Sequence, residues 1–211
     1  MEAPASRRIG VVLCGLLLTG TVGACTSGSP APAKRSQPSP ASTASTPTPA
    51  SAPSAPMVVQ VTHVAGRLPE RQRHAVTVGV RRTLASYVDG AFLAGPYPRT
   101  DFRAAFGAFT RGAVPAAQRD LALLTDRPLG STTTGVRALH RTAYLSVLSP
   151  HGKVAGVTAA VDLVLAVDRG HDPGRRLHMK GRLLLTRDAK GRWAVFGYDL
   201  ARSQTAAGSG S

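Results

Sequence analysis

The stretch "KVAGVTAAVDLVLAVD", residues 153–168, restricts this chain's folding more than any other. Ala155, Val157, Ala159, Val161, Leu163, Leu165 and Val167 occupy every second position, and Asp162 and Asp168 fall between them. A strand sends alternate side chains to opposite faces, whereas a helix would scatter this set around its circumference. The segment is therefore a strand with one continuous apolar face that another layer must cover. In "RRLHMKGRLLLTR", residues 175–187, Leu177, Met179, Leu183 and Leu185 share a face, with His178, Lys180 and Arg182 opposite. The turn-forming stretches "SPHGK", "DRGHDPG" and "DAKG" come at hairpin spacing. Together with Gly135–Leu148 and Arg192–Arg202, they predict a four-stranded antiparallel meander.

The period before this sheet is helical. Val76, Val80, Leu84, Tyr87, Val88, Ala91 and Phe92 recur at steps of three and four after Pro69 and Glu70, and Gly95-Pro96 stops the run. Arg71, Arg81, Arg82 and Asp89 lie largely off the stripe. A second helix is expected from Thr100 as cap, with Asp101 in its first turn and Phe102, Phe106 and Phe109 on one side. A third is expected from Pro115 to Leu124, burying Ala117, Leu121 and Leu124 before Arg127-Pro128. The opening "MVVQVTHVAGRL" reads as a short extra strand. Three helices covering one face of an antiparallel sheet make an α+β layer architecture. This domain is expected to span residues 57–203, with a disordered tail at 204–211.

The other end of the chain cannot join that core. Residues 26–56 are almost wholly Pro, Ala, Ser and Thr, with no aromatic or large aliphatic side chain, so burial cannot offset the entropy of ordering them. Proline at this density biases the stretch toward extended conformations of about 3.1 Å per residue, a spacer reaching roughly 100 Å. Before it, residues 1–24 have the form of a secretory signal: Arg7 and Arg8, an apolar core from Ile9 to Leu18, then small residues. The apolar run is shorter than the approximately 20 residues a membrane span needs. Export is expected by the general route, since Gly10 sits where a twin-arginine signal prefers a bulky apolar residue. Cys14 lies inside the signal, which leaves Cys25 without an intramolecular partner.

Val22, Gly23, Ala24 and Cys25 resemble the bacterial lipobox, in which the cysteine receives a diacylglyceryl group. An ordinary signal peptide cut at the same bond is the alternative. "GRWAVFGYDL", residues 191–200, resembles the terminal strand of the nuclear-transport-factor-like, or cystatin-like, cone fold. The order of anchor, low-complexity linker, helices and sheet is similar to that of actinobacterial lipoproteins and mammalian-cell-entry-associated membrane proteins. The resemblance implies a curved, cone-shaped sheet and a location on the extracytoplasmic face of the cell membrane, held by a lipid on Cys25.

The superfamily includes isomerases and dehydratases that work deep in the cone, but fold alone assigns no activity. The inward faces of 155–167 and 177–185 carry no ionisable group, and Asp162, His178, Lys180 and Arg182 suit cross-strand pairing on the other face. Candidate cavity residues are Tyr87, His140, Tyr144 and Asp199. No nucleophile elbow, phosphate-cradling glycine loop or spaced His pair is present, so no catalytic residue, metal or cofactor is assigned. The chain carries 26 Lys and Arg against 11 Asp and Glu, a net charge of +15. Such a surface suits an anionic lipid or a cell-wall polymer, beside an envelope protein partner, and export excludes nucleic acid. The expected role is a non-catalytic accessory or binding module for an envelope partner or hydrophobic ligand. The alternative is a small enzyme of the same fold acting in the interior cavity. A packed interior would instead leave surface recognition.

Overall fold

The computed structural model describes residues 53–208. The chain runs through β1 (Val58–Gly66), α1 (Glu70–Val88), a π-helical turn (Asp89–Leu93), α2 (Arg103–Phe106), α3 (Val114–Arg119) and α4 (Leu121–Leu124). The strands β2 (Gly135–Ser149), β3 (Gly156–Arg169), β4 (Asp172–Arg187) and β5 (Trp193–Ala206) follow. The sheet order is β1-β2-β3-β4-β5. β2 to β5 form the antiparallel meander, but β1 lies parallel to β2, with Val58 opposite Thr142 and Gly66 opposite Ser149. The expected four-stranded antiparallel sheet is therefore a five-stranded mixed one. The helical segment between β1 and β2 is the crossover that parallel neighbours require.

The long apolar stripe does form a helix, in which Val76, Val80, Leu84, Tyr87 and Val88 are buried. Its end changes character: Asp89–Leu93 widens into a π turn in which Gly90, Ala91 and Phe92 are buried. A Cβ on Gly90 would lie 2.8 Å from the backbone carbon of Ala104, so only glycine permits this approach between the π turn and α2.

The three expected helices become four α-helices because the third divides in two. Thr100 is not the cap of α2, which begins at Arg103 and lasts one turn. The Asp101 carboxylate accepts the Arg103 backbone N–H at 2.9 Å, and Arg103 holds its pKa down to about 2. Phe102, Phe106 and Phe109 are nevertheless all buried, because tertiary contacts rather than a continuous helix gather them. Phe106 and Phe109 meet edge-on with ring centres 5.8 Å apart. The helix expected over 115–124 breaks at Asp120, which adopts φ −96° and ψ 28° between α3 and α4.

The folded region also exceeds 57–203 at both ends. Ala55 donates its backbone N–H to the Ala138 carbonyl at 2.9 Å, and the Ser54 hydroxyl accepts that of Ala138 at 3.1 Å. At the other end β5 continues past Arg202, pairing Gln204 with Leu177 and Ala206 with Arg175. No helix among the described residues is long and apolar enough to cross a membrane.

The core lies between the helices and one face of the sheet. Val157, Ala159, Val161, Leu163, Leu165 and Val167 on β3 are at most 5% exposed, and Leu177, Met179, Leu183 and Leu185 on β4 at most 1%. At about 25 cal/mol per Å² of apolar surface, each large side chain here contributes about 1.5–3 kcal/mol.

Candidate functional site

The interior is the first place to look for a site, and it is packed. The inward side chains of β3 and β4 leave so little exposed surface that no ligand-sized void lies against them. Tyr87, on α1, is fully buried and donates its hydroxyl to the Leu124 carbonyl at 2.9 Å. Its ring meets Phe109 edge-on at 5.5 Å and Phe92 at 6.3 Å, and burial pushes its pKa up. Tyr87 is thus a satisfied core residue.

His140, Tyr144 and Asp199 do not join it. All three are exposed, Tyr144 by 46%. They sit on the sheet's other face, opposite Val164, Ala160 and Arg182 respectively. Tyr144 and Asp199 are three strand steps apart, roughly 14 Å at normal strand spacing. The structure therefore brings none of the four candidate cavity residues around a common void. On the same outer face, His178 Nε2 lies 2.8 Å from Asp162 and Lys180 Nζ lies 3.5 Å from it, the cross-strand pairing expected from the alternation.

Four charged side chains that the sequence does not place in the interior lie buried or half-buried there: Arg99, Asp126, Arg141 and Arg202. A bulge between Ala138 and His140 shifts the parity of β2, so Arg141 points beneath the sheet opposite Leu163. Arg141 pairs with Asp89 at 2.7 Å and donates to the Ala55 carbonyl at 2.6 Å. Arg99 contacts the Gly90 carbonyl and lies 3.5 Å from Asp126, with both side chains at most 6% exposed. Burial raises the Asp126 pKa to about 6, opposed chiefly by Arg99. Arg202 donates to the carbonyls of Ala122 and Thr125 at 2.5 and 2.8 Å, neutralising the carbonyl-rich end of α4. Asp126 Oδ1 and Arg202 Nη2 have no hydrogen-bond partner in this cluster. No local sequence pattern announces these contacts, because each joins elements distant in the chain.

A cleft of about 390 Å³ opens on the surface between α1 and the β4–β5 hairpin. Its walls include Arg82 and Ser86 from α1, Arg187, Asp188 and Arg192 from the hairpin, and the Ala108 segment. Trp193 lies against Gly79, where a Cβ would be only 2.5 Å from the indole Cδ1. The Thr83 hydroxyl donates to the Trp193 carbonyl at 2.9 Å, and the Arg187 guanidinium sits 5.0 Å from the indole centre. A glycine on the helix thus lets a large aromatic seat closely, and the aromatic in turn supports an arginine at the cleft wall.

No group of three or more His, Cys, Asp or Glu among the described residues has metal-binding geometry. Cys25 and the signal and linker segments before residue 53 lie outside the described residues. No protein-family model, curated protein or solved structure matches this chain.

Proposed function

We propose that this chain is a cell-envelope lipoprotein, anchored through a lipid on Cys25, whose domain is a non-catalytic binding module working by surface recognition. The packed interior is the observation that carries the choice of surface over cavity: the inward side chains of β3 and β4 are at most 5% exposed. A hydrophobic ligand carrier or a cone-interior enzyme needs room at that place. The helices on one face of the sheet are consistent with the cystatin-like cone architecture, which we adopt as the finer description of the fold. The location rests on the secretory signal, Cys25 and the spacer after it.

Two measurements test this reading. Fractionation of the native host should find the parent in the membrane and Cys25→Ser released from it. Equal membrane retention of the two would overturn the anchor. Native mass spectrometry of the purified chain should find no stoichiometric apolar ligand, and a bound lipid in the domain would refute surface recognition.

A further inference from the structure

We infer that the cleft between α1 and the β4–β5 hairpin is a binding site for a tetrahedral oxyanion, specifically a phosphate ester. This deepens the surface-recognition reading and rests on it for biological context, but the site itself stands on the folded domain alone.

Arg82 lines the cleft from α1, and Arg187 and Arg192 line it from the hairpin, so arginines come to it from two separate elements. One carboxylate, Asp188, lies among them, but its acceptors are already occupied. Oδ1 accepts the backbone N–H groups of Lys190 and Arg192, both at 2.9 Å, and Oδ2 accepts Arg192 Nε at 3.0 Å. The Arg192 pairing holds the Asp188 pKa below its usual value. Asp188 and Arg192 therefore neutralise one another while closing the turn, and the charges of Arg82 and Arg187 remain.

Arg82 is exposed and has no ionic partner among the described residues. Arg187 gives one hydrogen bond, to the Gly191 carbonyl at 3.0 Å, and its stacking on Trp193 steadies the guanidinium plane. A guanidinium has five N–H donors, so most of this donor capacity remains available. The exposed Ser86 hydroxyl adds a neutral donor.

Geometry distinguishes between anions. One guanidinium fork satisfies both oxygens of a planar carboxylate. Donors from two separate elements suit a tetrahedral group, whose oxygens diverge toward both. A volume of about 390 Å³ has room for a phosphate and the polyol or sugar it esterifies. Such esters occur both in phospholipid headgroups and in soluble or polymeric phosphates.

The test uses the whole chain at fixed ionic strength. Trp193 is the single tryptophan and lines the cleft, so its fluorescence reports occupancy. Titration with glycerol phosphate should perturb it saturably, and acetate should bind at least fivefold more weakly. Arg82→Gln should weaken glycerol phosphate at least fivefold. Arg187→Lys, which keeps the charge but loses the fork, should weaken it about threefold. The double variant Arg175→Gln with Arg176→Gln removes two exposed charges at the far end of β4, roughly 40 Å along the strand, and should change binding less than twofold. Equal loss in this control would attribute binding to diffuse charge and overturn the site, as would parental affinity in Arg82→Gln or equal affinity for acetate.

Co-sedimentation of the Cys25→Ser chain, which carries no lipid of its own, with phosphatidylglycerol vesicles, against phosphatidylcholine vesicles, separates the sources. Sedimentation dependent on Arg82 assigns a lipid headgroup, and binding of glycerol phosphate without sedimentation assigns a soluble or polymeric ester. Failure of both binding arms overturns the site. Because purified protein is used, that failure is distinct from mislocalisation in the Cys25→Ser experiment.

Discussion

Gly79→Ala sets two effects against one another, and the structure decides between them. Gly79 lies inside the nineteen-residue helix α1, where alanine is ordinarily better by about 1 kcal/mol because it loses less backbone entropy. The new Cβ would nevertheless stand 2.5 Å from Trp193 Cδ1 and 3.0 Å from Nε1, against a contact optimum of about 3.5–4.0 Å. The indole must therefore retreat by about 1 Å. It is only 7% exposed, with Arg187 against its ring and its carbonyl held by Thr83. Overpacking at such sites costs about 1–3 kcal/mol, and losing the whole indole from its seat, roughly 200 Å², would cost about 5 kcal/mol.

Taking the upper part of the overpacking range, the net loss after the propensity gain is about 2 kcal/mol. Urea denaturation followed by Trp193 fluorescence measures it, because this is the single tryptophan. Ser86→Ala, at an exposed position of the same helix, should instead gain about 0.5 kcal/mol. In a Trp193→Leu background, followed by circular dichroism, Gly79→Ala should recover most of its loss, since the atoms it strikes are gone. A Gly79→Ala protein as stable as the parent, with unchanged emission, would refute the reasoning.

Asp126 gives a pH prediction. Its folded pKa of about 6 lies above the ordinary 3.8, so the folded state holds a proton that the unfolded state releases between those values. Its contribution is fully present below pH 3.8 and is lost as pH rises through 6, a fall of about 3 kcal/mol. Urea melts of parent and Asp126→Asn from pH 4.5 to 7 should differ by this slope, and parallel curves would contradict it. Arg141→Met should cost about 2 kcal/mol in the same assay, because a mostly buried side chain loses its bonds to Asp89 and Ala55. Asp89→Asn should cost under about 1 kcal/mol, since that carboxylate is half exposed; equal costs would argue against the assigned burial. Tyr87→Phe should cost about 1 kcal/mol by chemical denaturation, from loss of the hydrogen bond to Leu124, and no change would show that bond to be energetically idle.

The parts of the fold legible in the sequence are those with a long, unbroken period. Along β3 and β4 alternation alone separates the buried Val161, Leu163, Leu177 and Met179 from Asp162 and His178, and these faces agree with the structure. The buried stripe of α1 is equally clear at its own period. Legibility fails where the period is interrupted. The bulge on β2 inverts the side-chain parity on which any reading of Arg141 or His140 depends. The Phe102, Phe106 and Phe109 spacing fits a longer helix than the single turn of α2, because tertiary packing overrides a weak local preference.

The sequence by itself determines that the chain has a folded portion with one buried sheet face and, before it, a segment poor in apolar side chains. Both conclusions follow from local chemistry: which side chains leave water, and at what period. Only the tertiary structure decides that β1 lies parallel to β2, that the interior is packed, and that Arg82 and Arg187 share a cleft. These are relations between distant segments. Gly79 has no side chain to signal its role, and the contact that gives it one comes from Trp193, brought against α1 only when the sheet and helix close.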